Sequence, residues 1–129
     1  MPELKEADRL ARIQASNFEW LRPDWFLRLE KLHDGAQAVL KMPPQELSAE
    51  GGISRETAAQ FLKEAAALDP QAELEKLRKA GGTALFLGED NYPAALAEIS
   101  DPPLVLYVRG KASFEKVAAA IVEIGRAHV

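Results

Sequence analysis

A glycine pair, Gly81-Gly82, divides this 129-residue chain into two stretches whose apolar residues follow different periods. Before the pair, apolar residues recur three or four apart, the spacing of one helix face. After it come short apolar runs bounded by glycine and proline, the mark of buried strands. Glycine enters the left-handed conformation without steric cost, so the pair also stops whatever helix precedes it. The chain is therefore expected to be mainly α with a short α/β segment, split into a helical part, 1–80, and a second part, 81–129.

Within the first part, Leu4, Ala7, Leu10 and Ala11 share a helix face, with Glu and Arg between them. Pro23 can open a second helix, because its fixed φ suits the first turn. That helix would present Trp25, Phe26, Leu29 and Leu32 and close near Gly35. Val39 and Leu40 extend a short third helix before Pro43-Pro44, and Pro44 starts another short piece carrying Leu47. Ser54 is an N-cap for a helix presenting Ala58, Phe61, Leu62, Ala65 and Leu68. Asp69-Pro70 begins a last helix, where Leu74 and Leu77 share a face and Glu75 and Lys79 form an i,i+4 pair. Trp20, Trp25 and Phe26 have rings that can stack on nucleic-acid bases. Flanked by Leu21, Leu27 and Leu29, they read first as the core of a small helical domain.

In the second part, Thr83–Leu87 and Leu104–Val108 read as strands, and Pro93–Ile99 as one or two helical turns. In Phe114–Ile124 helical spacing outweighs a strand-like Ala120-Ile121-Val122. Two strands do not make a stable sheet alone. Residues 81–129 are thus either the opening of an α/β domain or a small sheet packed on the helical part.

Charge and composition exclude several functions. Lys and Arg number 16 against 20 Asp and Glu, a net charge of -4, which argues against a wholly basic nucleic-acid binder. No cysteine is present, so disulfides and thiolate chemistry are absent. His33 and His128 are the only histidines, too few for a zinc enzyme built from this chain alone. His33 neighbours Asp34, but adjacent helix residues do not face one another, so the pair is no catalytic constellation. No apolar run approaches the ~20 residues of a membrane helix, and Met1–Arg12 lacks a signal-peptide core. A cytoplasmic chain is expected, without catalytic residues, metal ligands or cofactor.

The run Glu50-Gly51-Gly52-Ile53-Ser54-Arg55-Glu56 has two readings. It is an ordinary capped helix start, or half of a helix-hairpin-helix element that points backbone N–H groups at a phosphate. In the second reading Gly52, Ile53, Ser54 and Arg55 make the contact. Glu50 and Glu56 set negative charge beside it, and Arg55 offsets one of them.

The segment Asp90–Gly110 contains Tyr92-Pro93, Leu96, Ile99, Asp101-Pro102-Pro103, Leu106-Tyr107 and Gly110. It resembles the stretch that precedes the Rossmann-like core in the DNA-processing protein A (DprA/Smf) family. Upstream, Leu47, Gly52-Ile53-Ser54, Ala58, Glu73, Leu77 and Gly81 follow that family's helical lead-in, so the likeness covers roughly 45–112. It implies an N-terminal helical domain of the SAM-like or helix-hairpin-helix type, followed by the opening strands of a truncated Rossmann-like fold. It further implies a non-enzymatic role in natural transformation: binding single-stranded DNA and helping load a RecA-type recombinase, as a homodimer of the full-length protein and without a cofactor. In such proteins basic residues near a glycine loop grip the DNA. Here Arg109, Lys111, Gly125 and Arg126 would carry that role, although Glu123 intrudes on the loop. The acidic balance implies that this chain, as a fragment, binds DNA weakly. Two other classes stay open: a protein-interaction module using the helical domain, and a nucleotide-processing enzyme. A Rossmann-like core serves enzymes too.

Overall fold

The computed structural model describes residues 4–109, which hold seven helices and two strands. In chain order these are α1 (Glu6–Ala15), α2 (Pro23–His33), α3 (Ala36–Leu40), α4 (Pro44–Gly51), α5 (Arg55–Ala67), α6 (Pro70–Lys79), β1 (Gly82–Phe86), α7 (Ala94–Ala97) and β2 (Val105–Arg109). The architecture is thus mainly helical with one small antiparallel sheet. Packing groups the described residues into two compact units, one of residues 4–73 and one of residues 74–109, so α6 contributes to both. The expected element at 114–124 lies outside the described residues.

Proline starts α2 and α4 at their first turns, where its missing N–H removes no helical hydrogen bond. Asp34 closes α2 in the left-handed conformation, at φ 61°. The core of the helical unit gathers on Phe61 of α5, which is fully buried. Phe18 and Trp25 meet its ring edge-on at 5.4 and 5.5 Å, and Phe26 meets it at a tilt at 6.1 Å. Edge-on pairs set the positive rim of one ring against the negative face of another, which adds to the burial of apolar area. Ile13, Leu29, Val39 and Leu47 complete this core from four other helices.

Three expectations for this unit are corrected. Leu32 is 67% exposed, and Glu30 takes the inner position on α2 instead. At 100° per residue Leu32 lies roughly 120° round the helix from Phe26, whereas Glu30 faces inward to meet Arg12. On α1 it is Ala11, Arg12, Ile13 and Ala15 that are buried, while Ala7 and Leu10 are only half-covered. Trp20 is no core residue: it stands 76% exposed in the turn after α1.

In the second unit, β1 and β2 pair antiparallel from Gly82 with Arg109 to Phe86 with Val105. Leu87 N–H donates to the Leu104 carbonyl at 3.0 Å, one step beyond. Each strand thus lies one residue from its expected bounds. Leu85, Leu106 and Val108 share one face of the ribbon, and Tyr92 and Leu96 cover it. The Tyr92 hydroxyl donates to the Pro103 carbonyl at 2.9 Å, tying the start of the Asp90–Gly110 segment to its proline turn. Gly82 is required by close approach. A Cβ there would lie 2.5 Å from Leu77 Cδ1 and 2.8 Å from the Val108 carbonyl oxygen. Glu75 pairs with Arg78 at 2.5 and 3.1 Å rather than with Lys79. The guanidinium fork engages both carboxylate oxygens at once, which a single ammonium group does not. That hydrogen bonding holds the Glu75 carboxyl below its usual range.

Candidate nucleic-acid interface

Helices α4 and α5 are joined by Gly52, Ile53 and Ser54 alone, so the two form a tight hairpin. Gly52 turns the chain at φ 66° with open space where a Cβ would stand, and its N–H donates to the Ser48 carbonyl. Ile53 N–H donates to the same carbonyl at 3.2 Å, and the Ser48 hydroxyl returns a bond to the Ile53 carbonyl at 2.6 Å. Ser48 thereby locks the turn from both sides. Ser54 caps α5: its Oγ accepts from Thr57 N–H at 3.0 Å, as its place before an apolar-periodic run leads one to expect.

The hairpin is also anchored from behind. Trp25 Nε1–H donates to the Gly51 carbonyl at 2.8 Å, and its indole lies so close that a Cβ on Gly51 would sit 2.9 Å from the ring. Of the two adjacent glycines, Gly51 is therefore required by packing and Gly52 by backbone conformation. The exposed side of the turn presents Gly52, Ser54, Arg55 and Glu56. The amides of Arg55 and Glu56 have no acceptor inside the helix, because they belong to its first turn. Such amides, with the positive end of the helix dipole, suit an anion.

Charge around this turn is mixed. Glu50 is engaged by His33 of α2, Nε2 to Oε2, a contact between residues 17 apart that sequence spacing did not signal. Glu56 remains beside Arg55 on the exposed side. A phosphate at the turn would meet one guanidinium and one carboxylate besides the amides.

Of the expected basic set, Arg109 alone lies within the described residues. Arg109 ends β2, exposed and opposite Gly82. Lys111, Gly125 and Arg126 lie outside the described residues. Gly52, Ile53, Ser54 and Arg55 do come together, at the turn.

One buried ionic pair escaped sequence reasoning. Arg12 Nε donates to Glu30 Oε1 at 3.1 Å, with the two side chains 6% and 8% exposed. Glu30 Oε2 is buried and accepts no hydrogen bond. Burial pushes the Glu30 carboxyl above its usual range, opposed by the Arg12 charge and hydrogen bond. Nothing in the local pattern marks this pair, since its partners are 18 residues apart on different helices.

Among the described residues no group of His, Asp and Glu is arranged to hold a metal ion. No described helix is long and apolar enough to cross a membrane. No protein-family model matches the chain, and no curated protein matches it.

Proposed function

We propose that this chain is a DNA-processing protein of the kind it resembles, a non-enzymatic, cytoplasmic binder of single-stranded DNA that assists a RecA-type recombinase. The observation that carries the reading is the α4–α5 hairpin, which leaves the first-turn amides of α5 open on an exposed turn. Trp25 and Ser48 hold that turn rigid, so an anion would meet donors already in place. The unit from residue 74 onward is, in this reading, the entry to a Rossmann-like core. Its antiparallel ribbon fits an edge of a mixed sheet, a common arrangement in large α/β sheets. A two-stranded ribbon is marginal in water by itself, which also fits such a context.

The reading is tested by fluorescence anisotropy of a labelled single-stranded oligonucleotide titrated with the chain at about 50 mM and about 200 mM salt. Binding at the lower salt that weakens steeply at the higher is expected, because phosphate contacts release counterions. Arg55→Glu and Arg109→Glu should each weaken it further. Failure to bind at either salt would overturn the DNA reading for these residues.

A further inference from the structure

A groove of about 630 Å³ lies between the turn after α1 and the exposed face of α5. Phe18 and Trp20 form one side, and Glu56, Thr57, Gln60 and Glu64 the other. The aromatic side is held firmly. Phe18 is buried against Phe61, Leu21 N–H closes the turn onto the Phe18 carbonyl at 3.1 Å, and Asn17 Nδ2 donates to the Glu64 carbonyl at 2.7 Å. Trp20 is nonetheless 76% exposed. The turn that buries the Phe18 ring extends the Trp20 indole into solvent beside α5. Opposite it, Glu56, Gln60 and Glu64 stand four residues apart, on one row of α5. Gln60 Nε2 donates to Glu64 Oε2 at 2.9 Å. Among the described residues no lysine or arginine lines the groove.

We propose that this groove docks an arginine-bearing segment of a protein partner, one guanidinium lying over Trp20 and two arginines of the segment bonding one each to the carboxylates of Glu56 and Glu64. Charge complementarity selects the occupant. An indole face attracts a cation, arginine above all, and the two carboxylates supply acceptors for its donors. A nucleic-acid strand stacking on the same ring would bring its phosphates against Glu56 and Glu64. Glu56 and Glu64 stand eight positions apart on α5, roughly 12 Å of helix, so two cations on one extended segment can be served together. The groove shares Glu56 with the turn of the DNA reading, and the peptide and oligonucleotide probes tell the two apart.

The test is an NMR titration of the ¹⁵N-labelled chain at low salt with an acetylated, amidated Gly-Arg-Gly-Gly-Gly-Arg-Gly peptide. Its counterpart with both arginines replaced by glutamine is the control. The arginine peptide should move the Trp20 indole N–H signal and the amides of residues 56–64. The Trp25 indole, bonded to Gly51, should stay in place. Trp20→Ala, and Glu56→Gln with Glu64→Gln, should each weaken binding about threefold to tenfold, with the helical circular-dichroism spectrum unchanged. Three results would overturn the proposal: no shift at Trp20 by about 1 mM peptide, an equal response to the glutamine peptide, or a Trp20 shift produced by a single-stranded oligonucleotide.

Discussion

At the residue scale, the Arg12–Glu30 pair is the most exacting feature of the helical unit, because it places two charges where water does not reach. Deleting Arg12 leaves the buried Glu30 carboxylate without its cation. Arg12→Ala should therefore cost about 3–5 kcal/mol, measured by urea unfolding. Replacing both partners, as Arg12→Met with Glu30→Leu, should be neutral or stabilising, since neither desolvated charge then remains. A double variant as unstable as the single one would show that shape, rather than charge, dominates the site. The same carboxyl makes a pH prediction. Its folded value lies above the ordinary 4.5, so the folded chain holds the proton more tightly than the unfolded chain. The resulting stabilisation is present below about 4.5 and is lost as pH rises through the raised value. Relative to Glu30→Gln, the unaltered chain should thus lose stability on going upward through that window; a flat difference between the two would refute it.

At the scale of single elements, local chemistry accounts for most starts and stops. Pro23, Pro44 and Ser54 begin helices in the structure as their residue types require, and Gly81, at φ 78°, follows the end of α6. Ser54→Ala removes the acceptor for Thr57 N–H and should cost about 1 kcal/mol of stability. Gly52→Ala forces a side chain into a left-handed position and should cost about 1–2 kcal/mol. Thermal unfolding of the two variants checks both, and a Ser54→Ala chain as stable as the parent would remove the cap from the account of α5. Faces were less legible than boundaries. Leu32 fits the helical spacing of Phe26 and Leu29 yet faces solvent, and Trp20 adjoins leucine yet is exposed. Hydrophobic period identifies a helix, but which part of its apolar arc is covered depends on the neighbour that packs there.

At the scale of the whole chain, two cores of different make stand in sequence: aromatic and aliphatic packing around Phe61, and a ribbon covered by Tyr92 and Leu96. Phe61→Ala removes the ring that three others contact and should cost about 3–5 kcal/mol. Hydrogen exchange should report the loss at the amides of α1, α2 and α5, and Leu85→Ala should loosen those of β1 and β2. Unchanged protection at the named amides would count against either core. The candidate binding surfaces follow the same division of scale. The hairpin of Gly52, Ile53, Ser54 and Arg55 was legible because glycine and a capping serine mark a turn wherever they occur. The groove at Trp20 was not, because residues 18–20 and 56–64 are brought together by the packing of Phe18 on Phe61 and the Asn17–Glu64 hydrogen bond, both long-range in sequence.

By itself the sequence determined the helical and strand periods, the proline and serine helix starts, and the glycine stops, all of which act through the backbone of a few neighbouring residues. Only the tertiary structure decided that Arg12 and Glu30 share a buried site, that His33 engages Glu50, and that Trp20 stays in water opposite two carboxylates. Those outcomes join residues 17 or more positions apart, where burial and distance, not local propensity, set the energy.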